Sequence, residues 1–301
     1  MSIRTLLVPL DGGHGDRWSL DAAYAVARHF EAHITALHVE IDPEEAMAGV
    51  VASGIYSPTQ YLDALERVNA AGETAPRATF DAWRHDRHVA ITETPRYLHG
   101  VSARFMIERG VNTIRNRALL ADLVVCPLFD DDRENPAALE AALLDAGRPV
   151  LAVPAGNRSA PDFDLIAVAW SASREGFRAL TAALPLMRTA RELVILHAGE
   201  WQPAKLAPII DYLAWHGLSA RGVVLPGGDN QGDTLLDEAR RLGAKLLVMG
   251  GYTHSRAPTG LRRRDAPPAA PFRYPPLAVA LTQAASRRTR PARIGIMPRR
   301  A

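Results

Sequence analysis

Short runs of β-type apolar residues alternate with longer stretches in which apolar positions recur every three to four residues. Ile3–Leu10 is such a run and stops at Asp11-Gly12-Gly13. An amphipathic stretch follows from about Trp18 to His29, with Leu20, Ala23, Tyr24, Ala27 and Phe30 at helical spacing. His33–Val39 then reads as a second buried strand. The same succession returns later. Leu165–Trp170 is a strand ending at Ser171-Ala172-Ser173, helical spacing runs through Phe177, Leu180 and Leu184, and Leu193–His197 is again a strand. This recurrence reads as an internal duplication.

Later elements correspond too. Asp122–Pro127 matches Ala244–Met249, and each follows a helical stretch, Gly110–Leu120 and Asp233–Leu242. The first half completes its pattern with a helix over Pro136–Ala146 and a strand over Pro149–Pro154. Strands that are apolar throughout and alternate with helices predict an α/β fold with parallel sheets covered on both faces. Right-handed crossovers make each half a doubly wound, Rossmann-like domain of about five strands. The predicted boundaries are 1–156 and 162–256, joined by the Pro-, Gly- and Ser-containing stretch Pro154–Pro161. Between Ile41 and Gly100 lies extra polar helical sequence, for example Gln60–Ala71, read as an extended second helix.

Composition narrows the picture. With 48% hydrophobic and 23% charged residues, the 301-residue chain suits soluble globular domains. One cysteine excludes a disulfide scaffold and a multi-cysteine zinc site, and it fits a reducing cytoplasm. No apolar run approaches the ~20 residues of a membrane span. The net charge of +2 is lopsided: Ala257–Ala301 holds ten arginines, no lysine and one acid, which leaves the other 256 residues at −7. The basic character belongs to the tail, so no specific nucleic-acid partner is expected of the body.

Five strings carry a resemblance: LLVPLDGG at Leu6–Gly13, ITALHV at Ile34–Val39, GRPVLAVP at Gly147–Pro154, GDTLLDEA at Gly232–Ala239 and LLVMGGYTHSR at Leu246–Arg256. Together the chain up to Arg256 resembles a tandem of two universal stress protein domains. That resemblance implies five-stranded parallel sheets, a cytoplasmic stress-response role, pairing of domains edge to edge and, in many members, ATP binding. In such a site an acidic residue after the first strand and backbone after the second lie near the adenine. A G-x-x-G, nine residues, G-[S/T] pattern after the fourth strand lets backbone N–H groups reach the phosphates. Asp11 and Val39 match the adenine side in the first half. Its fourth strand, however, runs into Cys126-Pro127-Leu128-Phe129 and then Asp130–Asp132, without glycine and with three carboxylates that repel a triphosphate. In the second half Gly250 and Gly251 keep the start of the glycine pattern, but Thr253 stands at its second position, Ser171 at the acidic position and Ala198 opposite Val39. The expectation is therefore a non-catalytic protein acting through protein contacts or nucleotide sensing, with a degenerate ATP site built of Asp11, Val39, Gly250 and Gly251 and without a metal.

Beyond Arg256 the chain departs from the pattern. Ala257–Ala301 has eight of the 22 prolines and reads as an irregular tail, with a last strand still predicted at 277–282. Shifting the codons of Ala257–Pro271 by one base permits the family's usual continuation, so a frameshift accounts for this segment as well as a native basic tail does.

Other constellations have plainer readings. Asp11–Asp16 superficially resembles the loop of ATP pyrophosphatases, the alternative nucleotide-hydrolysing reading, but lacks its leading and closing serines, and a turn with a helix cap explains it. His85, His88 and His99 read as surface histidines, and Cys126 as a buried structural thiol. His38 and His197 occupy matching strand ends. The two halves are expected to pair within the chain, with a homodimer as a further partnership.

Overall fold

The computed structural model describes residues 2–47, 58–94, 99–128, 137–154, 163–200, 203–228, 231–250 and 278–280. The first half runs β1 (Thr5–Leu10), α1 (Gly15–Phe30), β2 (His33–Glu40), α2 (Pro58–Arg87), β3 (Ala90–Ile91), β4 (Ser102–Arg109), α3 (Thr113–Ala118) and β5 (Leu123–Leu128). It closes with α4, which opens as Ala137–Glu140 and continues as a π-turn over Ala141–Asp145, and β6 (Val150–Pro154). The second half runs β7 (Leu165–Ala169), α5 (Arg174–Met187), β8 (Glu192–Ala198), α6 (Ala207–Trp215), β9 (Ala220–Leu225), α7 (Gln231–Arg241), β10 (Leu246–Met249) and β11 (Ala278–Ala280). None of the described helices is long and apolar enough to cross a membrane.

The strands lie in the order β3-β4-β2-β1-β5-β6-β11-β10-β7-β8-β9. Six parallel strands make the first sheet, and β7 to β10 make a second parallel set. Counted outward from the middle, the halves read β6-β5-β1-β2-β4 and β11-β10-β7-β8-β9, the same order of equivalent strands. At the middle, β11 is parallel to β10 but antiparallel to β6, with Val279 opposite Leu151. The middle strand thus has a parallel neighbour on one side and an antiparallel one on the other.

The core follows the same logic. Leu20, Ala23, Val26 and Ala27 form the inner stripe of α1, and Ala179, Leu180, Ala183 and Leu186 that of α5. Both stripes belong to one apolar cluster that continues across the two halves, and His29 of the first half meets Phe163 of the second with ring centroids 5.4 Å apart. On the opposite face the core splits in two. One part lies under α3 and α4, the other under α7.

Two helices differ from their expected bounds. The polar helix predicted around Gln60–Ala71 continues to Arg87 through Pro76, because Leu65, Phe80 and Trp83 give it a buried stripe beyond the proline. The helix predicted over Gly110–Leu120 is only Thr113–Ala118. Gly110, at φ +105°, turns the chain out of β4, and the Glu45 carboxylate accepts the Val111 N–H, so the helix cannot begin earlier.

Candidate functional site

Open parallel sheets bind ligands at the carboxyl ends of their strands, where the strand order reverses. In the first half that point lies between β1 and β5. Asp11 follows β1 at that point and Val39 lies on the neighbouring β2, each one residue past the last β1–β2 rung, Leu10 opposite His38. The two residues expected on the adenine side therefore stand at neighbouring strand ends, and the cleft that Val39 lines does not include Asp11.

The loop that carries Asp11 is already satisfied by its own side chains. Asp16, in the first turn of α1 and 1% exposed, accepts the N–H of Gly12 at 2.9 Å and of Asp11 at 3.2 Å. The Asp11 carboxylate accepts the Gly13 N–H at 2.8 Å. Burial, reinforced by the nearby Asp11 charge, pushes the Asp16 carboxyl up to about 7 against the pull of those N–H groups. Gly12 adopts φ +87°, and a Cβ there would stand 3.1 Å from the Ala75 Cβ and 3.2 Å from the Pro76 Cδ. Helix α2 thus lies directly against this loop. His38, buried beside it, donates from Nδ1 to the Leu10 carbonyl at 3.1 Å.

Val39 lines a cleft of about 320 Å³ together with Glu40, Asp42, Glu45 and Gly110. Its charge is acidic. Arg109 donates to Glu40 at 2.8 Å, an ion pair that raises the basicity of the guanidinium. Asp42 and Glu45 bond backbone N–H groups of Glu44 and Val111. The Asp130–Asp132 run lies outside the described residues. Cys126, before it, is a fully buried thiol pushed up to about 12 by burial.

In the second half Gly250 directly follows β10. A Cβ on it would meet the Gly176 N at 2.7 Å and the Glu175 carbonyl carbon at 2.9 Å, so its glycine is required by the first turn of α5. That turn is capped by Ser173 Oγ, which accepts the Gly176 N–H at 3.0 Å. Gly251 and Thr253 lie outside the described residues. Among the described residues no three His, Cys, Asp or Glu side chains cluster to hold a metal, and His99 pairs with Glu31 at 3.6 Å.

Sequence reasoning missed two things here. It read Asp11–Asp16 as a turn with a helix cap and did not assign Asp16 the role of closing the loop, although an acid early in a helix after D-G-G is the signal of a loop-closing carboxylate. It also gave α2 no contact with Gly12, since the length of α2 was hidden by its proline.

The sequence matches no protein-family model and no curated protein. Among solved structures, a universal stress protein from Archaeoglobus fulgidus DSM 4304 aligns at 18% identity over 82% of this chain and 85% of that one, with a TM-score of 0.58. A protein of the universal stress protein family from Burkholderia pseudomallei is 24% identical over 29% of this chain and 81% of its own, with a TM-score of 0.24. The Archaeoglobus alignment spans both halves and establishes the shared fold.

Proposed function

We propose that this chain is a tandem universal stress protein that acts in the cytoplasmic stress response through protein contacts, without catalysis and with its nucleotide site closed. The observation that carries the reading is the β1–α1 loop. Its N–H groups at Asp11, Gly12 and Gly13 are taken by Asp16 and Asp11, and Ala75 and Pro76 of α2 rest on Gly12. A nucleotide would have to displace a helix and compete with two carboxylates for the same donors. The acidic cleft beside Val39 adds repulsion to a triphosphate. The fold shared with the Archaeoglobus universal stress protein supports the family assignment. The reading also makes the β6–β11 seam the means by which the two halves pair, which leaves the outer surfaces for a second copy or another partner.

The test is calorimetric titration with ATP, together with an ATP turnover assay on the wild type and on Asp11→Ala. The expected result is no saturable binding and no turnover. Saturable ATP binding overturns the closed site. Turnover that disappears in Asp11→Ala replaces the reading with the nucleotide-hydrolysing enzyme.

A further inference from the structure

A cavity of about 380 Å³ opens at the other end of the strands, at the start of β1, β2 and β4. It exists because α3 is short: six residues, against eleven in its counterpart α7. On the face that α3 leaves open, Leu7, Thr35 and Arg104 form one row across the three strands, and Thr5, His33 and Ser102 form the next. Leu120 and Ala121 complete an apolar wall.

The second half repeats this arrangement with one chemical difference. There the row is Ala167, Val194 and Arg221, so Arg221 stands where Arg104 stands and Glu192 where His33 stands. Arg221 donates to Glu192 at 2.7 Å, so its charge is matched within the sheet. In the first half the acid is absent. His33 bonds Ser102 Oγ through Nδ1 at 2.9 Å, and an imidazole, neutral or protonated, brings no negative charge to Arg104. Burial, followed by the Arg104 charge, lowers the basicity of His33 to about 4 and keeps it from adding a second positive charge. Arg104 donates Nε–H to the Thr35 hydroxyl at 3.2 Å and makes no ion pair among the described residues. A guanidinium has further donors in a planar fork that fits a carboxylate. The Thr35 hydroxyl, accepting from Arg104, keeps its own proton to donate. Of the other charges lining the cavity, Arg117 is held by Glu108, Arg4 donates to the Phe30 carbonyl and Glu31 pairs with His99, while Glu93 also lines it.

We infer that this cavity binds a small organic carboxylate, with its carboxylate on Arg104 and Thr35 and its apolar chain against Leu7, Leu120 and Ala121. The site lies at the opposite end of the strands from the Asp11 loop and does not depend on the nucleotide reading. A pocket of a few hundred cubic ångströms, apolar with a few convergent polar groups, has the anatomy of a small-molecule site.

The probe is hexanoate, titrated calorimetrically into the full-length protein, with hexanamide as the uncharged control. The wild type is expected to bind hexanoate saturably with a Kd on the order of a millimolar or tighter, and hexanamide at least about tenfold more weakly. His33→Glu recreates the Arg221–Glu192 pair beside Arg104, so it should weaken hexanoate by about tenfold or more without lowering the thermal midpoint. Arg104→Gln should do the same to binding. No saturable hexanoate binding to the wild type, equal binding of hexanamide, or unchanged affinity in a folded His33→Glu protein each overturns the inference. Preference for inorganic phosphate over hexanoate overturns the carboxylate class. If neither variant folds, the wild-type comparison of hexanoate with hexanamide decides alone.

Discussion

The Nδ1–H of His38 donates to the carbonyl oxygen of Leu10 across 3.1 Å, and His197 repeats the bond to Trp170 at the same distance in the second half. Because a carbonyl can only accept, the bond requires a proton on Nδ1. It ties the end of each half's first strand to the second strand beside it. His38 is buried and His197 half-buried. His38→Ala leaves a buried carbonyl without its side-chain donor and should cost about 2 kcal/mol, whereas His197→Ala, nearer to water, should cost about 1 kcal/mol. Urea unfolding of the two variants checks the ranking, and equal costs would deny the difference in burial its role.

Glycine at position 12 is demanded twice, by φ +87° and by the approach of Ala75 and Pro76. Gly12→Ala should therefore destabilise by about 1–3 kcal/mol. Pairing it with Ala75→Gly relieves the Ala75 contact but neither the Pro76 contact nor the dihedral, so the double variant should recover only part of the loss. Full recovery would show that the dihedral carries no strain.

Acid and base act on opposite ends of β1 in opposite senses. Asp16 is held near 7 against an ordinary 3.8, so between those values the unfolded chain ionises it while the fold does not, and stability falls as pH rises. His33 is held near 4 against 6.5, so in that range the unfolded chain takes up a proton while the fold does not, and stability falls as pH drops. The two slopes nearly cancel in the wild type between roughly pH 4 and 6.5. Asp16→Asn should uncover the His33 slope, losing on the order of 2–3 kcal/mol on acidification through that window. His33→Gln should uncover the Asp16 slope and gain stability on the same acidification. Denaturant midpoints across the window, parallel in all three proteins, would contradict both assignments.

The α/β alternation of both halves was legible because its strands are buried on both faces and so stand out as continuous apolar runs, such as Leu6–Leu10 and Leu193–Leu196, with helices between them. The shared place of His38 and His197 was legible for the same reason. The order of strands around the β6–β11 seam and the length of α2 were not. Pro76 and the small polar residues around it look like a break, and only the burial of Phe80 and Trp83 past them shows why the helix persists. The exchange of Glu192 for His33 beside matching arginines was also hidden. It emerges only once the register pairs Thr35 with Arg104 and Val194 with Arg221. Of the expected site, Asp11 and Val39 stand at neighbouring strand ends, and what rests on the Asp11 loop comes from Asp16 and α2. A local pattern cannot report a contact between residues some sixty positions apart.

The seam itself makes the last prediction. Residues Val150–Pro154 of β6 are all buried, and β11 supplies the far side of their hydrogen-bond ladder through Ala278 to Ala280. Deleting residues 257–301 removes β11 and leaves β6 and β10 with unpaired N–H and C=O groups along apolar strands, a template for pairing with another chain. The one apolar cluster that crosses both halves, with Phe163 3% exposed at its middle, should keep the shortened protein folded. Two outcomes then compete: β6 and β10 pair with each other within the chain, or with the edges of a second copy. Their ladders are separated by a full strand, about 5 Å on each side, so closing the gap requires the core around Phe163 to shift. Association between copies requires no such shift. Light scattering on the shortened protein should therefore show mass rising with concentration, while Val279→Pro in the full chain, which removes one ladder donor, should show the same tendency more weakly. A shortened protein that stays monomeric at all concentrations, with its thermal midpoint unchanged, would mean that β11 does not hold the seam.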